Sequence, residues 1–324
     1  MESELPNPPY ESWEPDDSLR ARFLALLQLV RLPNVFTAMA DVLMGFLFVR
    51  NSFGLGDGWA LGLLIAASSA LYMAGMVLND VFDYAIDQVE RPERPLPSRR
   101  IGLATARALG WSLLAAGVVL SLIAAPIVGQ FRTAAVAIIL ALSIVLYDAW
   151  LKRTPLGPLG MGACRTLNVL LGMSVLAGPW QTAHWLVAAA IGSYIVGVTW
   201  LARTEARRSN RLHLVGATLV MLLGIGLLSG LLKVTDVLVP VLQFDPSRWY
   251  MVMAILAGLV GWRTLKAIVD PSPAAVKNAV RQSILSLVIL DASACFAVRG
   301  MPAAIAVVLL LVPATFIGQW LEST

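Results

Sequence analysis

Asn79, Asp83 and Asp87 recur every four residues in the segment GMVLNDVFDYAIDQVERPERPLPSRR, and Asp80 follows the first of them directly. On a helix a four-residue step rotates by only about 40°, so the three form one ridge with Asp80 beside it. Stacked carboxylates repel one another unless a cation compensates them. An all-oxygen donor set suits Mg2+, which is usually held by one or two carboxylates together with substrate phosphates. A solvated helix end is the plainer alternative. The ridge grows out of an apolar run, however, and carboxylates at membrane depth are costly. The spacing therefore predicts a Mg2+ site at Asn79, Asp80, Asp83 and Asp87.

Downstream, Pro92, Pro95 and Pro97 fix φ and stop the helix. They predict an ordered loop that returns guanidinium groups, Arg94 among them, over the acidic ridge, where arginine matches diphosphate oxygens in pairs. Arg165 and Asn168 stand three apart in a second apolar run and share a helix face. An arginine there needs a partner or an aqueous cavity, and Asp41 is a candidate partner. Asp41 itself reads equally as a paired charge or as a substrate contact. Cys164 and Cys295 lie in apolar runs and read as buried thiols, without a disulfide or thiolate metal site. His184 and His213 flank apolar runs and read as structural. Asp291, inside an apolar run, is a proton-pathway candidate only in a transporter.

The elements that must carry these residues are apolar throughout. Of 324 residues 58% are hydrophobic and 14% charged, against about 25% charged in soluble domains, and the mean hydropathy is +0.76. A soluble enzyme, a disordered chain and a disulfide-stapled domain are excluded. Candidate spans are 33–49, 59–79, 104–127, 133–150, 159–178, 184–202, 212–232, 249–268, 279–298 and 301–319. They number ten, or nine if a kinked helix joins the last two. Residues 1–22 read as a loosely ordered cytoplasmic tail, and 23–320 as a single transmembrane domain with an interfacial stretch around Leu24–Val30. The acidic, proline-containing start is unlike a secretory signal. Val234–Val241 is too short to cross and reads as interfacial.

The net charge of +4 concerns sidedness rather than nucleic acid. Sixteen Lys and Arg fall on the side of the loops at 88–103, 151–158 and 203–211, and five on the other. The positive-inside rule makes the first side, with the N-terminus, cytoplasmic. The largest polar loops share that face, as an enzyme acting on an anionic amphiphile requires.

Asn79-Asp80-x-x-Asp83-x-x-x-Asp87 followed by Arg94-Pro-Leu-Pro-Ser resembles the first aspartate-rich motif of the UbiA superfamily of intramembrane prenyltransferases. The resemblance implies an all-α polytopic membrane bundle of about nine helices around a central cavity, in a bacterial cytoplasmic membrane. It also implies transfer of a prenyl group from a Mg2+-bound prenyl diphosphate to an aromatic or other apolar acceptor. Arg31-Leu-Pro-Asn34 resembles the family's Arg-x-x-Asn element, which would turn Arg31 and Asn34 toward the cavity. Otherwise Arg31 is an interfacial anchor and Asn34 a helix cap. Tyr147 and Lys152 resemble a Tyr-x-x-x-x-Lys element whose lysine reaches the diphosphate; the alternative is a pair of membrane-belt residues.

One departure is plain. Where the superfamily has a second aspartate-rich motif, this chain has Thr199, Arg203 and Glu205. Arginine cannot ligate Mg2+ but can neutralise phosphate. The expected catalytic set is thus Asp80, Asp83, Asp87 and Arg203. Arg31, Asn34, Arg94, Tyr147, Lys152, Arg165, Asn168 and Glu205 are expected to bind substrate. The alternative is a non-catalytic isoprenoid or lipid carrier. The wording around Arg165–Asn168 and Arg203–Glu205 also resembles UbiA-like proteins of bacterial ebo-type gene clusters.

Overall fold

The computed structural model describes residues 19–50, 53–205, 208–234 and 246–323. The acidic start and nearly all of Val234–Val241 lie outside the described residues. The helices are α1 (Leu19–Leu29), α2 (Leu32–Val49), α3 (Asp57–Phe82), α4 (Tyr84–Glu90), α5 (Leu103–Val128) and α6 (Arg132–Ala149). After a 3-10 turn at Leu151–Arg153 come α7 (Gly157–Met173), α8 (Thr182–Ala202), α9 (Arg211–Ser229) and α10 (Leu231–Val234). The chain continues through α11 (Pro246–Val269), α12 (Pro273–Arg299), α13 (Met301–Val308) and α14 (Leu311–Ser323).

Among the described residues nine helices are long and apolar enough to cross a membrane, the last being α13 and α14 taken together. The chain is an all-α integral membrane bundle. The predicted fifth span is α7, which with 17 residues rises about 26 Å and lies at the short limit of a span. Its packing places it inside the bundle, against α2, α6 and α8.

The loops sort to two ends as the charge count predicts. At the basic end Arg203 bonds to the carbonyls of Lys152 and Pro155, Arg153 donates to Phe82 O at 3.0 Å, and the Ser209 N–H donates to Pro271 O at 3.1 Å. At the opposite end Arg132 donates to Ser174 O at 3.0 Å and Arg299 to Leu47 O at 2.7 Å.

Three local features position the site. Helix α2 begins at Leu32, because Pro33 suits a first helical turn, and Arg31 takes the cap position with φ 48° and ψ 51°. Asn34 is therefore inside the helix, and the side-chain cap read from the sequence is not made. Next, α3 bends into α4 at Asp83 (φ −93°, ψ 3°), while the Asp87 N–H still reaches Asp83 O at 2.8 Å. The acidic ridge continues across that bend. Finally, the proline loop after α4 is ordered by α1. Ala25 and Leu29 pack with Val77, Leu96, Ile101 and Ala106 in a small separate core, and Arg100 donates to Gln28 Oε1 at 3.0 Å.

Candidate active site

The acidic ridge opens onto a polar cavity of about 410 Å3 at the basic end, lined by Asn79, Asp83, Asp87, Arg31, Arg94, Lys152 and Arg203 among others. Each ridge carboxylate faces a cation. Arg94 comes back from the proline loop, and its Nη1 lies 2.7 Å from Asp87 Oδ2 and 3.4 Å from Asp80 Oδ1. Lys152 Nζ lies 2.7 Å from Asp83 Oδ2 and also donates to Asn79 O at 3.2 Å. Arg153 Nη2 is 3.4 Å from Asp83 Oδ1, and Arg31 Nη2 is 3.6 Å from Asp80 Oδ1. The prolines thus do what their spacing predicts, carrying a guanidinium over the acids.

Asp80 differs in position from its neighbours. Its side chain, as buried as that of Asp87, meets Arg31 and Arg94 away from the cavity, whereas Asn79, Asp83 and Asp87 line it. Asn79 turns its amide to α6, donating from Nδ2 to Asp148 Oδ1 at 3.1 Å. No motif in the sequence marks Asp148. A carboxylate in an apolar run, four residues before Lys152, was the available signal.

Beneath the polar cavity a second one of about 250 Å3 runs into the bundle, lined mostly by apolar side chains. Arg31 lines both cavities. Asn34, Tyr72, Tyr147, Asp148 and Thr199 line the inner cavity, as do Arg165 and Asn168. Arg165 is occupied: its Nη1 lies 3.0 Å from Asp41 Oδ2, its Nη2 bonds to Thr37 Oγ1, and its guanidinium lies 6.0 Å from the Tyr72 ring centroid. Asn168 Nδ2 donates to Asp41 Oδ2 and Ala38 O, both at 2.9 Å, and Oδ1 accepts from Ser68 Oγ at 2.7 Å. Arg165 thus takes Asp41 as partner, and the pair forms a polar floor under the apolar cavity. Glu205 sits in the turn beyond α8 and lines neither cavity.

Arg203, by contrast, is already engaged. Its guanidinium bonds to the carbonyls of Lys152 (3.2 Å), Pro155 (3.4 Å) and Thr154. Among the described residues no three His, Cys, Asp or Glu side chains converge as a metal cage. The all-oxygen donor set nevertheless suits Mg2+, which needs only one or two carboxylates beside substrate phosphates. Arg94 Nη1 and Lys152 Nζ each lie 2.7 Å from that set, on Asp87 and Asp83.

Residues 38–287 match the UbiA prenyltransferase family, and the chain belongs to that family. Digeranylgeranylglyceryl phosphate synthases of Metallosphaera sedula and Ignicoccus hospitalis are similar to it, at 32% and 33% identity over 162 residues. Those matches cover 49% and 50% of this chain but 55% and 48% of the relatives, so the chain spans about half the length of the curated relatives it matches. A UbiA homologue from Archaeoglobus fulgidus, solved bound to GPP and Mg2+, has the same fold. Its TM-score is 0.65 at 12% identity, over 88% of this chain and 99% of that one. A solved digeranylgeranylglyceryl phosphate synthase gives 0.56 at 21% identity, over 90% and 98%. These matches give the family and not the ebo-type branch.

Proposed function

We propose that the chain is a prenyltransferase that moves a prenyl group from a prenyl diphosphate to an aromatic or lipid-like acceptor. One observation carries the reading: a polar cavity of mixed charge lies directly over an apolar one, and Arg31 lines both. That shape suits a molecule with an anionic head and an isoprenoid tail. The synthases it resembles are named for a product with two geranylgeranyl groups on glyceryl phosphate, which makes geranylgeranyl diphosphate the first donor to try.

Asn79, Asp83 and Asp87 would hold Mg2+, which when bound supplies positive charge against the diphosphate. Asp80 keeps Arg31 and Arg94 in place. Arg31, Arg94 and Lys152 meet the diphosphate oxygens, exchanging carboxylate partners for phosphate. As the allylic C–O bond breaks, its electron pair leaves on the diphosphate, and cations fixed beforehand stabilise that charge without reorganising. The prenyl carbon is held among the apolar walls, away from water, near Asn34 and Tyr147. The acceptor then forms the new bond, and its proton passes to diphosphate or water. Arg165 and Asn168 fix the cavity floor.

Membranes containing the protein, supplied with geranylgeranyl diphosphate and Mg2+, should release diphosphate and yield a prenylated species by mass spectrometry. A protein that binds the chain yet releases no diphosphate with any acceptor tried is a carrier instead. The carrier reading has one observation in its favour, since α8 ends in Thr199 and Arg203 rather than paired acids. The basic end faces the cytoplasm in this proposal. Cysteines introduced at 95, 155 and 273 should be labelled only from that side, and those at 130 and 181 only from the other. Labelling of 155 from the side opposite the cytoplasm overturns the orientation.

A further inference from the structure

We infer that Arg203 is a positioning residue: it clamps the turn after α6 so that Lys152 is delivered to the acidic ridge. The inference rests on the diphosphate-binding reading above for its consequence, but its geometry is independent of it. The turn at Leu151–Arg153 ends with the carbonyls of Lys152, Thr154 and Pro155 converging on one point, and the Arg203 guanidinium fills that point. Turn ends leave carbonyls short of partners; Thr154 O accepts only from the Gly157 N–H, at 3.1 Å, within the turn, and a planar fork of five N–H donors with no acceptor is the side chain that meets several carbonyls at once.

The clamp has a fixed base and a defined load. Arg203 caps α8, and the next residue, Thr204, is held by Ser209, whose Oγ donates to Thr204 O at 3.1 Å and whose N–H donates to Pro271 O at 3.1 Å. On the far side of the clamped turn, Lys152 Nζ meets Asp83 Oδ2 at 2.7 Å and Asn79 O at 3.2 Å. Arg153, the next residue, donates to Phe82 O at 3.0 Å. Gly157 completes the arrangement. A Cβ there would lie 2.9 Å from Arg203 Nη2, 3.0 Å from Lys152 O and 3.1 Å from Lys152 Cα.

With its donors on carbonyls, Arg203 does not replace the family's second acidic pair as a metal ligand or a direct phosphate contact. It makes the end of α8 act on the site through Lys152. Because Arg203 is exposed, its loss leaves the carbonyls to water and spares the fold. What is lost is the fixed place of the lysine.

Two measurements decide this. In unliganded protein in detergent, hydrogen exchange of the backbone amides at 151–157 should speed up about tenfold or more in Arg203→Ala. Arg203→Lys should behave the same way, since an ammonium keeps the charge but cannot fork. Unchanged exchange in Arg203→Ala overturns the clamp.

By calorimetry with geranylgeranyl diphosphate and Mg2+, Arg203→Ala and Lys152→Ala should each weaken binding about tenfold, and the double variant no more than Lys152→Ala alone. Residues acting through one contact fail to add, whereas independent contacts multiply. A double variant near a hundredfold weaker, or full binding by Arg203→Lys, shows Arg203 touching the ligand as a charge and overturns the inference. If the wild type binds no prenyl diphosphate, the proposed function falls and the exchange measurement alone decides the clamp.

Discussion

Asp83→Asn and Asp87→Asn should each weaken Mg2+-dependent binding of geranylgeranyl diphosphate by about a hundredfold, while the protein still inserts and purifies as a folded bundle. Both side chains are substantially withdrawn from water, and each holds a cation at 2.7 Å. Each substitution removes one anionic oxygen from the metal's donor set, and a lost charge contact in a desolvated site costs about 2–5 kcal/mol. Insertion should survive, because asparagine keeps the size of the side chain and an acceptor for Arg94 or Lys152. The sign should reverse when metal is withheld. In a chelator these carboxylates only repel a diphosphate, so inorganic diphosphate should bind the two variants at least as well as wild type. Loss with Mg2+ combined with no loss in chelator separates a metal-bridging carboxylate from a merely structural one. Equal Mg2+-dependent affinities for wild type and both variants would exclude the metal role.

Much of this arrangement is legible along the chain because its parts are local. Asn79, Asp83 and Asp87 stay on one side of a continuous ridge, since the hydrogen bonds from Asp83 N–H to Asn79 O and Asp87 N–H to Asp83 O span the bend. Arg94 reaches Asp87 across seven residues, a short return that begins where Pro92 stops the helix. The spans are legible for the same reason, each being a single apolar run. What was illegible depends on which helices meet. Asp80 meets Arg31 from the start of α2, a contact that no local spacing encodes. Asn79 finds Asp148 across 69 residues. Arg203 reads as a free cation until the fold brings the Lys152–Pro155 carbonyls to it.

The floor of the cavity is a matter of backbone approach rather than side-chain chemistry. A Cβ on Gly172 would lie 2.3 Å from Val42 O and 2.9 Å from Val42 Cα, and one on Gly45 would lie 2.5 Å from Val169 O. The two glycines therefore let α2 and α7 cross with their backbones in contact, as small residues do between membrane helices. Four polar bonds of the floor span that crossing: Arg165 to Asp41 and Thr37, and Asn168 to Asp41 and Ala38 O. Asp41 is fully buried, so once the helices part it has no water to replace its partners. Gly172→Leu must push α7 off α2, because the obstructing atoms are backbone and cannot swing aside. The expected cost is about 4 kcal/mol or more, in the range of the most damaging core substitutions. It should appear as a fall of 10 °C or more in the melting temperature in detergent, on the order expected for such a loss, together with poor recovery of monodisperse protein. Gly226→Ala supplies the control, since a Cβ there meets nothing within 4 Å and alanine favours the helix. It should melt at or slightly above the wild-type temperature. A Gly172→Leu protein that melts with wild type would show that α2 and α7 stand further apart than this crossing requires, and the Arg165–Asp41 floor would then need another support.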